Sequence, residues 1–115
     1  MRAILINAKK RTVNEINITG DLASLKSSIN CRTVAAPYEL ENGDTVWCDD
    51  EGLYVNKDFI ELFEEYDPIA GDVLITGTTR DGDTTDCKTT SSDIHNRVMF
   101  YDMATLQLKY RLASS

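Results

Sequence analysis

A chain of 115 residues is enough for one domain and short for two, so a single domain over 1–115 is expected. With 42% hydrophobic and 27% charged residues, six glycines and two prolines, the composition excludes disordered, collagen-like and Pro-rich classes. Nineteen acidic against twelve basic side chains give a net charge of -7, which argues against a surface built to neutralise nucleic-acid phosphates.

In chain order, residues 2–7 and 11–18 are short apolar-rich runs separated by Ala8-Lys9-Lys10, the pattern of a hairpin with a polar tip. Ile16 and Ile18 share one face of the second run. Asp21 is placed to cap a short helix whose Leu22, Leu25 and Ile29 fall on one stripe, with Asn30 as its stop. Cys31–Tyr38 reads as a strand, and Pro37 assigns its end to a sheet edge or a bulge. Asn42-Gly43 signals a two-residue hairpin turn with positive φ at both positions, returning through 44–48.

Glu51-Gly52 makes a further turn before Leu53-Tyr54-Val55. Phe59, Leu62, Phe63 and Tyr66 then stand at i, i+3, i+4 and i+7, predicting a helix over 57–66 that Asp67-Pro68 ends. Val73-Leu74-Ile75 reads as a well-buried strand. Residues 76–93 carry seven threonines, two serines and four aspartates without apolar periodicity, the signature of an exposed polar loop, taken as 78–93 once the strand end is set aside. In the last segment Leu106, Leu108, Tyr110 and Leu112 alternate with polar residues, while Ile94, Val98, Tyr101, Leu108 and Leu112 also fit a helical stripe. The favoured reading is a helical turn near 92–96 followed by a hairpin of 97–101 and 106–112. The expected fold is therefore α+β: a small, mostly antiparallel sheet of hairpins with two short helices and a C-terminal hairpin.

No constellation of catalytic residues emerges, so an enzyme is not expected. His95 is the only histidine and has no Ser-His-Asp or His-x-x-x-His context. Cys31, Cys48 and Cys87 are odd in number and irregular in spacing, unlike a secreted disulfide scaffold or a zinc knuckle, and reduced thiols are expected. Asp81-Gly82-Asp83-Thr84-Thr85-Asp86 alternates carboxylates like the start of a calcium loop. It lacks glycine at the sixth position and glutamate at the twelfth, where Ser92 stands. No metal and no cofactor are expected. No apolar stretch exceeds five residues (34–38, counting Pro37), against roughly 20 for a membrane span. Residues 1–7 turn polar too early for a signal peptide, so an intracellular protein is expected.

Charge carries more information than any motif. Residues 1–38 sum to +4, residues 39–72 to -11, and residues 73–115 to zero. The acidic middle nominates a partner-binding surface of Trp47, Asp49, Asp50, Glu51 and Tyr54, with Glu61, Glu64 and Glu65 on the polar face of the helix expected there. Trp47 suits a core position equally well.

Taken together, Met1–Asn7, Thr12–Ile16, Gly20-Asp21-Leu22, the cysteine-led strand, Asn42–Trp47, Asp49-Asp50-Glu51-Gly52-Leu53 and Ile69–Ile75 resemble a family of small bacteriophage and mobile-element proteins, cyanophage members included. That family is known as a domain of unknown function. The resemblance covers about 1–77, a family-like core, with a weaker pattern at Ser92-Asp93-Ile94 and Arg97–Phe100. Residues 94–115 would form a C-terminal extension. It implies a phage origin, the host-cell cytoplasm and a host or phage protein as partner, and it supplies no catalytic residues. The expected function is a non-enzymatic interaction protein that binds another protein through its acidic surface, with no direct nucleic-acid or membrane binding. The alternative is an acidic nucleic-acid mimic that inhibits a DNA-binding host enzyme. A weaker one is a metal- or ligand-binding protein with a site near Asp49, Asp50 and His95. A homodimer through the edge of the strand expected at 106–112 is a further expectation.

Overall fold

The computed structural model describes residues 1–55, 57–63 and 66–113, with the backbone alone for 54, 55 and 110–113. The chain forms β1 (Arg2–Asn7), β2 (Thr12–Asn17), α1 (Leu22–Ser28), β3 (Val34–Glu39), β4 (Thr45–Asp49), α2 (Gly52–Val55), β5 (Asp58–Leu62), β6 (Ile69–Ala70), β7 (Val73–Thr78), β8 (Thr84–Thr85), α3 (Ser91–His95), β9 (Val98–Asp102) and α4 (Met103–Ala113). All strand pairs are antiparallel. The first sheet runs β2-β1-β7-β4-β3, with β8 paired to the far end of β7, and the second runs β6-β5-β9. The α+β reading holds.

Strand alternation sorts the core into layers. Ile4, Ile6, Val46, Cys48, Val73 and Ile75 leave the first sheet on one face and meet Ile60, Leu62 and Ile69 of the second, with Ile94 of α3. On the opposite face Ala3 and Leu74, with half-buried Ile16 and Trp47, receive Leu25 and Ile29 of α1. The outer face of the second sheet presents Phe59, Ala70 and Tyr101 to Leu106 of α4.

Several local expectations are met for local reasons. The Asp21 carboxylate accepts the Ser24 amide at 2.9 Å and caps α1. Asn30 ends it in the left-handed conformation (φ +50°), with the Asn30 amide donating to Ser27 and the Cys31 amide to Lys26, the paired bonds of a Schellman stop. Leu22 points to solvent, so the buried stripe is Leu25 and Ile29 alone. Pro37 lies both on an edge strand and in a bulge, because β3 uses three steps from Ala35 to Tyr38 where β4 uses two from Cys48 to Val46. β7 is the central strand of the first sheet, and its Val73, Leu74 and Ile75 are fully buried.

The Asn42-Gly43 hairpin is real but has a three-residue loop. The Leu40 amide donates to the Asp44 carbonyl at 2.8 Å and the Gly43 amide to the Leu40 carbonyl at 2.9 Å, with Gly43 at φ +91° and Asn42 outside the positive-φ region. This is a type I turn closed by a glycine bulge. The same pattern recurs where the Thr79 amide donates to Asp83 and the Gly82 amide to Thr79. The calcium-like Asp81–Asp86 segment is therefore a hairpin turn leading into β8.

Three expectations are overturned. The helix expected over 57–66 gives way to a strand: Asp58–Leu62 is β5, the middle strand of the second sheet. Both of its faces are covered, so it carries the near-continuous apolar run that a 3.6-residue period imitates by chance. The expected strand at 106–112, and with it the C-terminal hairpin and that strand's edge as a dimer contact, is replaced by α4. Its sequence is rich in strong helix formers, and the Asp102 carboxylate accepts the Thr105 amide at 2.7 Å at its start. The loop expected at 76–93 is partly structured and partly buried. It holds the end of β7, β8, α3 and the inaccessible Cys87 and Thr89.

Candidate functional site

The acidic turn after β4 borders a groove of about 220 Å³ between the β3 bulge, α2 and the Pro68–Ala70 segment. Pro37, Tyr38, Leu53 and Pro68 supply apolar walls, and Asp49 and Asp50 supply carboxylates. The turn is built locally: Asp49 Oδ1 accepts the Glu51 amide at 2.9 Å, an Asx turn, and the Asp50 amide donates to the Thr33 carbonyl at 3.0 Å. Gly52 starts α2 against β6, where a Cβ would run into the Ala70 carbonyl oxygen, so no larger residue fits without shifting backbone. Leu53 follows with 74% of its surface exposed.

The carboxylates of this turn are not equivalent. Both Glu51 oxygens accept from Arg32 Nη2, at 3.0 and 2.9 Å, so a cation from the basic first third offsets one acid of the band. Below the groove, the Cys48 thiol is pushed up to about 11 by burial, with the neighbouring Asp49 and Asp50 charges adding to it, and stays protonated at neutral pH. All three cysteines are free thiols. His95 is exposed at the end of α3, in a different part of the chain from the groove walls. Among the described residues no group of three His, Cys, Asp or Glu side chains is placed to hold a metal ion, and no helix is long and apolar enough to cross a membrane.

Of the residues nominated from sequence, Asp49, Asp50 and Glu51 share this turn. Trp47 does not: it lies on the other face of the first sheet, packed toward α1, with its indole N–H donating to Thr76 Oγ1 at 2.9 Å. Glu61 is 7% exposed on the outer face of the second sheet. There it accepts both bonds of Lys109 Nζ, at 2.9 and 2.7 Å, and Lys109 also reaches the Tyr101 hydroxyl at 3.0 Å. These bonds, Glu61 first, raise the Lys109 ammonium above the ordinary lysine range. Glu61 therefore ties α4 to β5 and does not face solvent. The side chain of Tyr54 and residues Glu64 and Glu65 lie outside the described residues. Pro37, Leu53 and Pro68 are among the groove residues that sequence reasoning missed, because exposure of a single apolar residue leaves no periodic signal.

A second cavity, of about 300 Å³, opens beside the β3–β4 hairpin, lined by Leu40, Asn42, Phe63, Tyr66, Thr89 and Arg97 among others. The Tyr66 and Tyr38 rings meet at a tilt of 44° with centroids 4.7 Å apart, Tyr38 lining the first depression and Tyr66 the second. Phe63 has φ +49°, rare for a bulky side chain, and its ring carries Arg97 at 4.3 Å. Beneath lies Asp44, 1% exposed, whose carboxylate accepts the Lys88 amide, the Thr89 amide at 2.7 Å and the Thr89 hydroxyl at 2.6 Å. Asn42 Nδ2 donates to Thr89 Oγ1 at 3.0 Å, and its Oδ1 accepts the Asp44 amide at 2.9 Å. The Asn42 and Thr89 groups of this wall are thus engaged within the protein.

Residues 1–99 match the family model described as Domain of unknown function (DUF3846). The chain belongs to the DUF3846 family. Both sheets fall within the match except for the last three residues of β9, and α4 lies beyond it. The acidic groove, built from residues 35–70, is wholly inside the DUF3846 region. Nothing among the curated proteins or the solved structures matches the chain.

Proposed function

We propose that this DUF3846 protein is a non-enzymatic interaction module of phage or mobile-element origin. It acts in the host-cell cytoplasm by binding a host or phage protein at the groove of Asp49, Asp50 and Leu53. The observation that carries this reading is the 74% exposed Leu53 standing beside two carboxylates at the mouth of a groove with apolar walls. An apolar anchor ringed by charge gives a protein interface both area and orientation. The matching partner surface has an apolar side chain flanked by lysine or arginine.

A displayed library of random peptides tests this directly. Binders enriched on the wild type should pair a basic with an apolar residue and lose at least tenfold in affinity to Asp49→Lys/Asp50→Lys and to Leu53→Ala. Enrichment without basic residues, or equal binding to all three proteins, would sink the reading. Capture from infected cells with the same variants then names the partner. The nucleic-acid mimic is the weaker reading, because such a surface needs an unbroken array of acids, and Arg32 offsets Glu51 while Glu61 is turned inward to Lys109. Its distinguishing outcome is partner release by duplex DNA.

A further inference from the structure

Besides the two-residue β8, which pairs only with the end of β7, the two sheets have four edge strands, and these are treated very differently. β3 is closed to further pairing by Pro37 and its bulge. β6 is two residues long and follows Pro68. β2 exposes Asn14, Glu15 and Asn17. β9 has neither a proline nor a bulge, and its one charged residue, Asp102, stands at its end. Its five residues, Val98-Met99-Phe100-Tyr101-Asp102, pair with β5 in an unbroken register, and no strand lies on its other side among the described residues. Met99 is 52% exposed on it, and Met103, directly after it, is also exposed. A regular apolar edge of this kind is the arrangement that proteins normally suppress unless it is used.

We propose that two copies of the chain pair antiparallel through β9, joining their three-stranded sheets into one of six strands. The strand is electrostatically suited to its own copy in this direction. Exposed Asp102 ends it, so a two-fold axis near the strand centre carries the two Asp102 carboxylates to opposite ends of the pair. A parallel arrangement would set like charges side by side. A standard interface takes ~800 Å² from each partner, about a ninth of the 7064 Å² surface of this chain. A five-residue edge spans only ~17 Å, so Met103 at the start of α4 completes the contact. The acidic groove is built on β3, β4, α2 and β6, and β6 is the opposite edge of the three-stranded sheet from β9, so either reading can fail alone.

Sedimentation equilibrium in reducing buffer, combined with amide hydrogen exchange, tests the pairing. At about 0.1 mM, a hundredfold above a 1 μM Kd, the expected species is a dimer, and exchange at residues 98–102 slows as concentration rises. Met99→Lys should weaken association at least tenfold with an unchanged far-ultraviolet spectrum, while Met99→Leu associates like the wild type. A monomer at this concentration, a dimer whose 98–102 amides exchange at a concentration-independent rate, or a folded Met99→Lys protein that dimerises normally would each overturn the proposal. Should Met99→Lys not fold, the exchange measurement on the wild type decides alone.

Discussion

Asp44 gives the sharpest test of how this fold is held together. Its carboxylate is 1% exposed and satisfies three donors, the Lys88 amide, the Thr89 amide and the Thr89 hydroxyl, so it fastens the β3–β4 hairpin to the segment that enters α3. In Asp44→Ala the Thr89 amide and hydroxyl lose their acceptor inside the protein, since Thr89 is itself buried, whereas Lys88 is exposed and water can reach its amide. A hydrogen bond to a charged group is worth about 1.5–3 kcal/mol and a stranded buried donor costs about 1–3 kcal/mol. Two inner bonds, not fully additive, give an expected loss of about 3–5 kcal/mol, a large part of the roughly 5–15 kcal/mol that stabilises a domain. In urea titrations, with m near 1–3 kcal/mol/M, the midpoint should fall by about 2 M at unchanged m. Asp44→Asn keeps one acceptor oxygen and should lose about half as much. Thr89→Val should cost far less in the Asp44→Ala background than in the wild type, because the shared bonds are already gone. An Asp44→Ala protein within about 1 kcal/mol of wild type would refute the assignment of this carboxylate as a structural hub.

Three further outcomes follow from the buried polar groups. Burial, with Asp58 nearby, pushes the Asp72 carboxyl up against the opposing effects of the Ala8 amide and Lys10, so its charging opposes folding as pH rises through the shifted value. Asp72→Asn retains an acceptor for the Ala8 amide and should be more stable than wild type at pH 7, with the advantage vanishing near pH 3; equal stability at both would contradict this. Lys109→Met leaves Glu61 without its cation and should cost about 1–2 kcal/mol, below the full loss for a buried pair because Lys109 is partly exposed; Glu61→Gln in the same protein should recover part of it, and a neutral Lys109→Met would mean that the pair does not hold α4. Trp47→Phe removes the donor to buried Thr76 and should cost about 1–2 kcal/mol while leaving peptide binding at the groove intact; lost binding in a folded variant would move the interface to the Trp47 face.

The sequence by itself determined the elements whose signals are local. The β1–β2 hairpin, the capped and glycine-free stop of α1, the Pro37 bulge, the turn at Gly43 and the buried β7 each rest on residues within a few positions of one another, which restrict the same backbone in any context. The acidic turn of Asp49, Asp50 and Glu51 was legible for the same reason. Only the tertiary structure decided that Phe59–Leu62 is a strand, that 103–113 is a helix, that Glu61 turns inward and that Trp47 and the acidic turn belong to different surfaces. Those outcomes depend on what covers a segment's second face. β5 is apolar on both sides because the first sheet lies on one and α4 on the other, and Glu61 is tolerated there because Lys109 arrives from 48 residues along the chain. Periodicity registers one buried face at a time, and a charge has the same letter whether water or an ammonium group satisfies it.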